Sequence, residues 1–184
     1  MRAVSCAPFL RLALTGAAIV ALAGCGLQQD LSSEAPTQIA APTQAPVITG
    51  ALLDGAQFQW STTQGHVIVV DFWGSWCGPC RGLQPDLNAL YTAFAPRGVV
   101  FIGVDMLEPD PASGNAYRTD FKVPYESVDD SSEQIAADYD VVAPPTEVVI
   151  DQKGEIVAKF LGTLDAGTGS KSLRDELNSL LTVT

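Results

Sequence analysis

Apolar residues fall into runs with two different periods. Val67-Ile68-Val69-Val70 is unbroken by polar residues until Asp71, and Gly98-Val99-Val100-Phe101-Ile102-Gly103-Val104 behaves likewise. Short continuous runs of this kind predict central strands buried on both faces. Between them Leu83, Leu87, Leu90, Tyr91 and Phe94 recur at helical spacing, up to about Ala95. Strand, helix and strand with a crossover imply a parallel pair. Residues 113–121 predict a weaker helix with Ala116, Tyr117 and Phe121 on its apolar side, and residues 123–128 an extended segment. Residues 131–139 predict a helix opening on a capping serine, and residues 141–151 lead into another strand. Asp151-Gln152-Lys153-Gly154 is a hairpin turn into residues 155–161. A last helix buries Leu173, Leu177, Leu180 and Leu181, with Thr168 or Ser170 as its cap. Ahead of all these, residues 51–55 and 58–60 predict a short N-terminal hairpin.

The candidate chemistry sits where the first run ends. Asp71-Phe72-Trp73-Gly74-Ser75-Trp76 leads into Cys77-Gly78-Pro79-Cys80, at what reads as a helix start. A proline is tolerated in a first helical turn, where its missing N–H has no partner to lose. The Cys77 sulfur then lies near unpaired backbone N–H groups and the positive end of the helix dipole, which favour the thiolate that attacks disulfides. A zinc site needs more ligands than one histidine and one Cys pair supply. A c-type haem needs His after the second Cys, where Arg81 stands. An inert disulfide closing so short a loop removes little chain entropy. Redox chemistry is the expectation. Asp71 is the candidate base for Cys80, because an unpaired carboxylate in an apolar strand has little structural purpose and burial raises its pKa. Trp73 reads as core, Trp76 as a cover for the sulfur, and Gly74 and Ser75 as turn residues only. His66 reads as a solvated strand end.

Composition adds compartment and partners. The 184 residues are 47% hydrophobic, enough for one domain with a core. The formal net charge is −11, which argues against nucleic acid and against direct adsorption to anionic lipid. The first 24 residues hold Arg2, Arg11 and no acid, so their removal leaves −13. Leu12 to Ala23 is an apolar stretch too short for a confident membrane span, and it reads as a secretion signal over residues 1–24. It ends in Leu22-Ala23-Gly24-Cys25, which resembles a bacterial lipobox. That resemblance implies lipid on Cys25 and anchoring at the cell membrane. Cys6 lies in the segment to be removed. Residues 25–46, rich in Pro, Thr and Gln, with Ala-Pro-Thr-Gln at 35–38 and 41–44, predict a flexible tether. Its reach is roughly 60 Å. The folded domain is expected over residues 47–184.

The segment Trp76-Cys77-Gly78-Pro79-Cys80, with Asp71-Phe72-Trp73 before it and Pro85 after, resembles the active-site motif of thioredoxin. With Pro145-Thr146 ahead of a strand, the resemblance covers roughly residues 47–184. It implies an α/β thioredoxin fold, a central mixed sheet flanked by helices. Residues from about 106 to 139 resemble the helix–strand insertion of the lipoprotein branch related to cytochrome c maturation. It makes Pro145 a cis proline and carries substrate contact onto Trp76, Gly78, Pro79, Pro144, Pro145 and Thr146. Thioredoxin has an acid at the position of Asp71, whereas the cytochrome-maturation branch has a Glu after the following strand, here Glu108. Pro144 departs from the thioredoxin pattern, since the residue before the cis proline there pairs with substrate through both N–H and C=O, and proline has no N–H.

The implied activity is thiol–disulfide exchange by a monomer, with no cofactor beyond the Cys77–Cys80 disulfide and no metal. Its partners would be exported protein thiols or disulfides, apocytochrome c among them, and a membrane thiol electron carrier. The Gly-Pro dipeptide favours the reducing direction, thioredoxin lying near about −270 mV. An oxidising folding catalyst, a thiol peroxidase and a non-catalytic binding module are the alternatives.

Overall fold

In the computed structural model, residues 43–164 and 172–182 are described. The elements are β1 (Thr43–Gln44), β2 (Val67–Trp73), α1 (Gly78–Phe94), β3 (Val99–Met106), α2 (Pro111–Asp120), β4 (Ser127–Asp130), α3 (Gln134–Asp138), β5 (Thr146–Ile150), β6 (Glu155–Leu161) and α4 (Leu173–Leu181). Among the described residues the strands form one sheet in the order β1-β6-β5-β2-β3-β4. The β2–β3 and β3–β4 pairs are parallel, and β2–β5, β5–β6 and β1–β6 are antiparallel. This is the mixed sheet that the thioredoxin resemblance implied. Every residue of β2 is buried, as its unbroken apolar run requires.

The pleat divides β2 between two cores. Ile68, Val70 and Phe72 join Ile102, Val104, Val148 and Ile150, covered by Ile135 and Ala136 of α3 and by Tyr139 just after it. Val67 and Val69 join Phe101, Val149 and Phe160, covered by Leu87, Leu90 and Phe94 of α1 and by Leu173 and Leu177 of α4. Further along that second face Trp73 packs with Cys77, Cys80 and Tyr117 of α2. Asp71 lies between, on the α1 side, by the alternation of side chains along a strand.

Several boundaries differ from the sequence expectation. The N-terminal hairpin is reduced to a single Ala51–Gln57 bridge, and Trp60–Thr63 forms a 3-10 turn. Leu52 instead bridges to Val128, so backbone pairing with β4 outcompetes a local hairpin. The sheet begins before Val47: β1 pairs with Ile156 and Glu155, and Ala45 N–H donates to Gly154 O. An open edge strand accepts polar chain as readily as apolar chain, because the bonds are backbone bonds. α2 starts at Pro111 with Asp110 as its cap, and its inner side is Gly114 and Tyr117, while Ala116 is exposed. Gly114 is there because Asp105 packs against its Cα, leaving no room for a Cβ. α3 takes its cap from Asp130, whose carboxylate accepts from Ile135 and Ala136 N–H, and not from Ser131 or Ser132. Ser172 caps α4, its Oγ accepting from Asp175 N–H; Thr168 and Ser170 lie outside the described residues.

Candidate functional site

Where β2 ends, the chain turns through Gly74, Ser75 and Trp76 and enters α1. Cys77 is the α1 N-cap, and its Sγ accepts from Cys80 N–H at 3.1 Å. It is disulfide-bonded to Cys80, with the two Cα atoms 5.3 Å apart. The first N–H groups of any helix lack intrahelical partners, so the site presents donors and a positive dipole end to this sulfur. On reduction the same groups favour a Cys77 thiolate. Both cysteines are buried, while Trp76 beside them is 50% exposed and anchored by its Nε1–H to Met106 O at 3.1 Å.

The turn is more constrained than its Gly-Ser composition implied. A Cβ on Gly74 would lie 2.6 Å from Trp76 Nε1 and 2.8 Å from Cε2, so only glycine lets the indole fold back. Ser75 donates to Glu108 twice, from its N–H at 3.0 Å and its hydroxyl at 2.9 Å. Arg81 donates to Ser75 O at 2.6 Å and lies over the rings of Tyr117 and Phe121. Gly74 and Ser75 are thus positioning elements, a correction to the expectation of turn residues only. Glu108 is buried, and both of its carboxylate oxygens accept from Ser75 of the turn.

Behind the cysteines lies a set of buried acids. Asp71 is 1% exposed, and its Oδ2 accepts from Tyr125 OH at 2.8 Å. Burial pushes its carboxyl up to about 7, against the opposing pull of the Tyr125 hydrogen bond. Tyr125 in turn accepts from Gln84 Nε2, whose Oε1 accepts from Tyr117 OH. Glu147 of β5 pairs directly with Asp71 across the strands and is 0% exposed. Neither of its carboxyl oxygens has a hydrogen-bond partner. Burial, then the charge of Asp71, push it well above the ordinary carboxylate range; its own backbone N–H opposes this, without hydrogen-bonding geometry. On β3, Asp105 is buried with both oxygens unpartnered, and burial and then the charge of Glu108 push it up to about 8.

The Pro144–Pro145 bond is cis, as the resemblance implied. Thr146 opposes Phe72, so the cis-proline loop and the Cys77 turn occupy the same end of the sheet. Thr146 is buried with its hydroxyl bonded to Ala143 O, so its side chain is committed to the loop itself. His66 is exposed at the start of β2, with Nδ1 3.1 Å from Gly98 O. Cys25 and the tether up to residue 42 lie outside the described residues. Sequence reasoning missed Glu147, Asp105, Tyr125 and Gln84. Glu147 carried the same signal as Asp71, a lone charge in an apolar strand. Among the described residues no group of three His, Cys, Asp or Glu is placed to hold a metal, and no helix is long and apolar enough to cross a membrane.

The model of the AhpC/TSA family matches residues 41–159, which span the sheet and the Cys77–Cys80 turn. The chain belongs to that family. Over 128 residues it is 30% identical to the thiol-disulfide oxidoreductase ResA of Geobacillus kaustophilus, covering 70% of this chain and 73% of that one. The crystal structure of the thioredoxin domain of a Bacteroides vulgatus thiol-disulfide oxidoreductase is 26% identical, with TM-score 0.64 over 79% of this chain and 98% of that one. A secreted thiol-disulfide isomerase of Corynebacterium glutamicum, 24% identical, shares the fold with TM-score 0.67 over 83% and 93% of the two chains. This AhpC/TSA-family member is a thiol–disulfide oxidoreductase with a thioredoxin-like fold.

Proposed function

We propose that this oxidoreductase is a lipid-anchored, extracytoplasmic reductant of exported proteins, apocytochrome c among its candidate substrates. The observation that carries the direction of attack is Cys77 at the α1 N-cap, with its sulfur facing the helix N–H groups. In the reduced enzyme the Cys77 thiolate attacks a substrate disulfide, and one substrate sulfur leaves as thiolate. Asp71 takes the proton of Cys80, which then attacks Cys77 Sγ and releases the second substrate thiolate. The enzyme ends oxidised by two electrons as the Cys77–Cys80 disulfide, and the substrate gains two electrons and two protons, one passed on from Cys80 through Asp71 and one from solvent. A membrane thiol carrier restores the dithiol. Trp76 and Val142 supply exposed apolar surface on the two loops at this end of the sheet, where Gly78, Pro79, Pro144 and Pro145 are also candidate contacts. Glu108 acts by holding Ser75, with Asp71 as the base.

Residues 1–24 as a signal, Cys25 as the lipid site and residues 26–46 as a spacer complete the proposal, although residues 43–46 are drawn onto the sheet. The deciding measurement is the reduction potential of the Cys77–Cys80 couple. A value near that of thioredoxin, about −270 mV, supports a reductant, and one near about −120 mV means an oxidising catalyst. Fractionation of Cys25→Ala tests the anchor: release from membranes with unchanged activity on soluble disulfides is expected, and a wild-type protein found unprocessed or soluble refutes it.

A further inference from the structure

We propose that Glu147 is a positioning residue of the redox site: paired with Asp71 across β2 and β5 in a buried chamber, it shares a single proton with Asp71 and sets when Asp71 can accept the proton of Cys80. This rests on the reading of Asp71 as the base.

Three observations carry it. Asp71 and Glu147 are cross-strand partners, so their side chains leave the same face of the sheet as close neighbours. Both are removed from solvent, and no cation is among the groups acting on either. Two like charges on cross-strand neighbours, both buried, do not both persist at neutral pH, so the pair retains a proton.

The hydrogen-bond network then decides where that proton rests. Phe121 O is a backbone carbonyl and can only accept, so the Asn88 group facing it is the Nδ2 donor. That leaves Asn88 Oδ1 to accept from Gln84 Nε2, which also donates to Tyr125 OH. Tyr117 OH donating to Gln84 Oε1 agrees with this orientation. With its oxygen already accepting from Gln84, Tyr125 directs its one hydrogen at Asp71 Oδ2. Asp71 is therefore the member whose carboxylate is stabilised, and the shared proton sits on Glu147, whose oxygens have no hydrogen-bond partner, donor or acceptor. The Gln84 amide is no proton carrier, so the network orients Asp71 and does not wire it to solvent.

The titratable groups that act on the pair are Tyr125 before β4, which donates to Asp71, and Tyr117 of α2, which feels the Asp71 charge; Cys80 of α1 packs with Tyr117, and Arg81 of α1 lies against the Tyr117 ring. Asp105 of β3 shares the face further along, and β6 contributes Phe160 opposite Glu147. When Cys80 is deprotonated for its attack on Cys77, the proton moves to the Asp71 carboxylate while Glu147 stays protonated. The pair passes from one negative charge to none, and it returns to one when the proton is released.

The test is carboxyl-carbon NMR titration of the reduced full-length protein, as wild type, Asp71→Asn, Glu147→Gln and Glu147→Asp. Single-turnover oxidation of each variant by a small disulfide is followed across pH. In wild type at neutral pH the Glu147 carboxyl carbon should report the acid form and Asp71 the carboxylate. Asp71→Asn should raise the ionisation constant of Glu147 by at least about tenfold, because the opposing charge is gone. The wild-type rate profile should show two carboxyl inflections, Glu147→Gln one, and Glu147→Asp should restore the second. A merely structural acid would alter thermal stability and leave the rate profile unmoved, and that outcome overturns the proposal. Independent titration of the two acids also overturns it, whether or not Asp71→Asn slows turnover, which tests the base reading alone.

Discussion

The two faces of β2 differ in what they are built from. Toward α3, Ile68, Val70 and Phe72 meet Val104, Val148, Ile150 and Tyr139 in a core of apolar side chains. Toward α1 and α2, the same strand places Asp71 and Trp73 among Gln84, Tyr125, Glu147 and Asp105, with the disulfide above them. Each large apolar side chain on the first face contributes about 1.5–3 kcal/mol by leaving water. The second face holds three buried carboxyls, each raised above its ordinary range by the loss of water. The first face is apolar throughout, whereas the second is apolar at Val67 and Val69 and, toward the cysteines, holds acids above their ordinary titration range beside a redox pair. Alternation keeps the acids off the α3 face, and position along the strand separates them from the apolar core that Val67 and Val69 join on their own face.

The largest effect that would sharpen this division is on the cysteines. Cys77→Ser should abolish insulin reduction with dithiothreitol as recycling thiol, while Cys80→Ser should accumulate mixed disulfides with partners on non-reducing gels. Trapping by Cys77→Ser instead would reverse the assignment. On the α3 face, Phe72→Ala should cost about 3–5 kcal/mol in urea unfolding. The cysteine potential should stay nearly unchanged; a large shift in it would show that the faces are not separable.

Asp71→Asn should slow turnover at neutral pH by roughly a hundredfold, the lower range for loss of a general base. It should also alter stability against pH. Asp71 holds its proton up to about 7 when folded, against an ordinary value of 3.8. The folded state therefore binds the proton more tightly. The stability this group contributes is complete below about pH 4 and lost as pH rises to about 7, by about 1.4 kcal/mol per unit. Denaturant titrations should show that loss in wild type and a flatter profile in Asp71→Asn; equal slopes would remove Asp71 from the buried set.

Pro144→Ile tests the substrate loop. It restores a backbone N–H beside Pro145, and one net hydrogen bond is worth about 0.5–1.5 kcal/mol, so insulin reduction should quicken by roughly threefold to tenfold. Unchanged or slower reduction by a folded variant would count against a missing donor. The smallest effect belongs to Glu108→Gln. Glutamine keeps one acceptor for Ser75, so turnover should fall by less than about threefold, one neutral bond's worth at most. A loss greater than that of Asp71→Asn would transfer the base role to Glu108.

Local chemistry made much of the site legible. The Cys77–Cys80 spacing, the proline in the first turn and the lone Asp71 each carry their meaning within a few residues. Pro145 was legible through resemblance. The N-terminal hairpin failed because Leu52 found Val128, more than seventy positions away, and residues 43–46 were read as tether because nothing in their composition announces an open sheet edge. Ser75 looked like turn filler because its partner Glu108 arrives from the far end of β3.

What the sequence determined by itself was the redox pair, the alternation of strands and helices, and one buried acid, Asp71, in an apolar strand. Those are properties of single residues and of short-range periodicity. Which acids meet was decided by the tertiary structure alone. Asp71 and Glu147 are 76 positions apart, and only the antiparallel register of β2 and β5 sets them opposite each other. The donor direction at Asp71 is likewise set by α1 and the loops around α2, through Gln84, Asn88 and the carbonyl of Phe121. Register and hydrogen-bond polarity are pairwise quantities, and a pair has no signature until the chain has folded to make it.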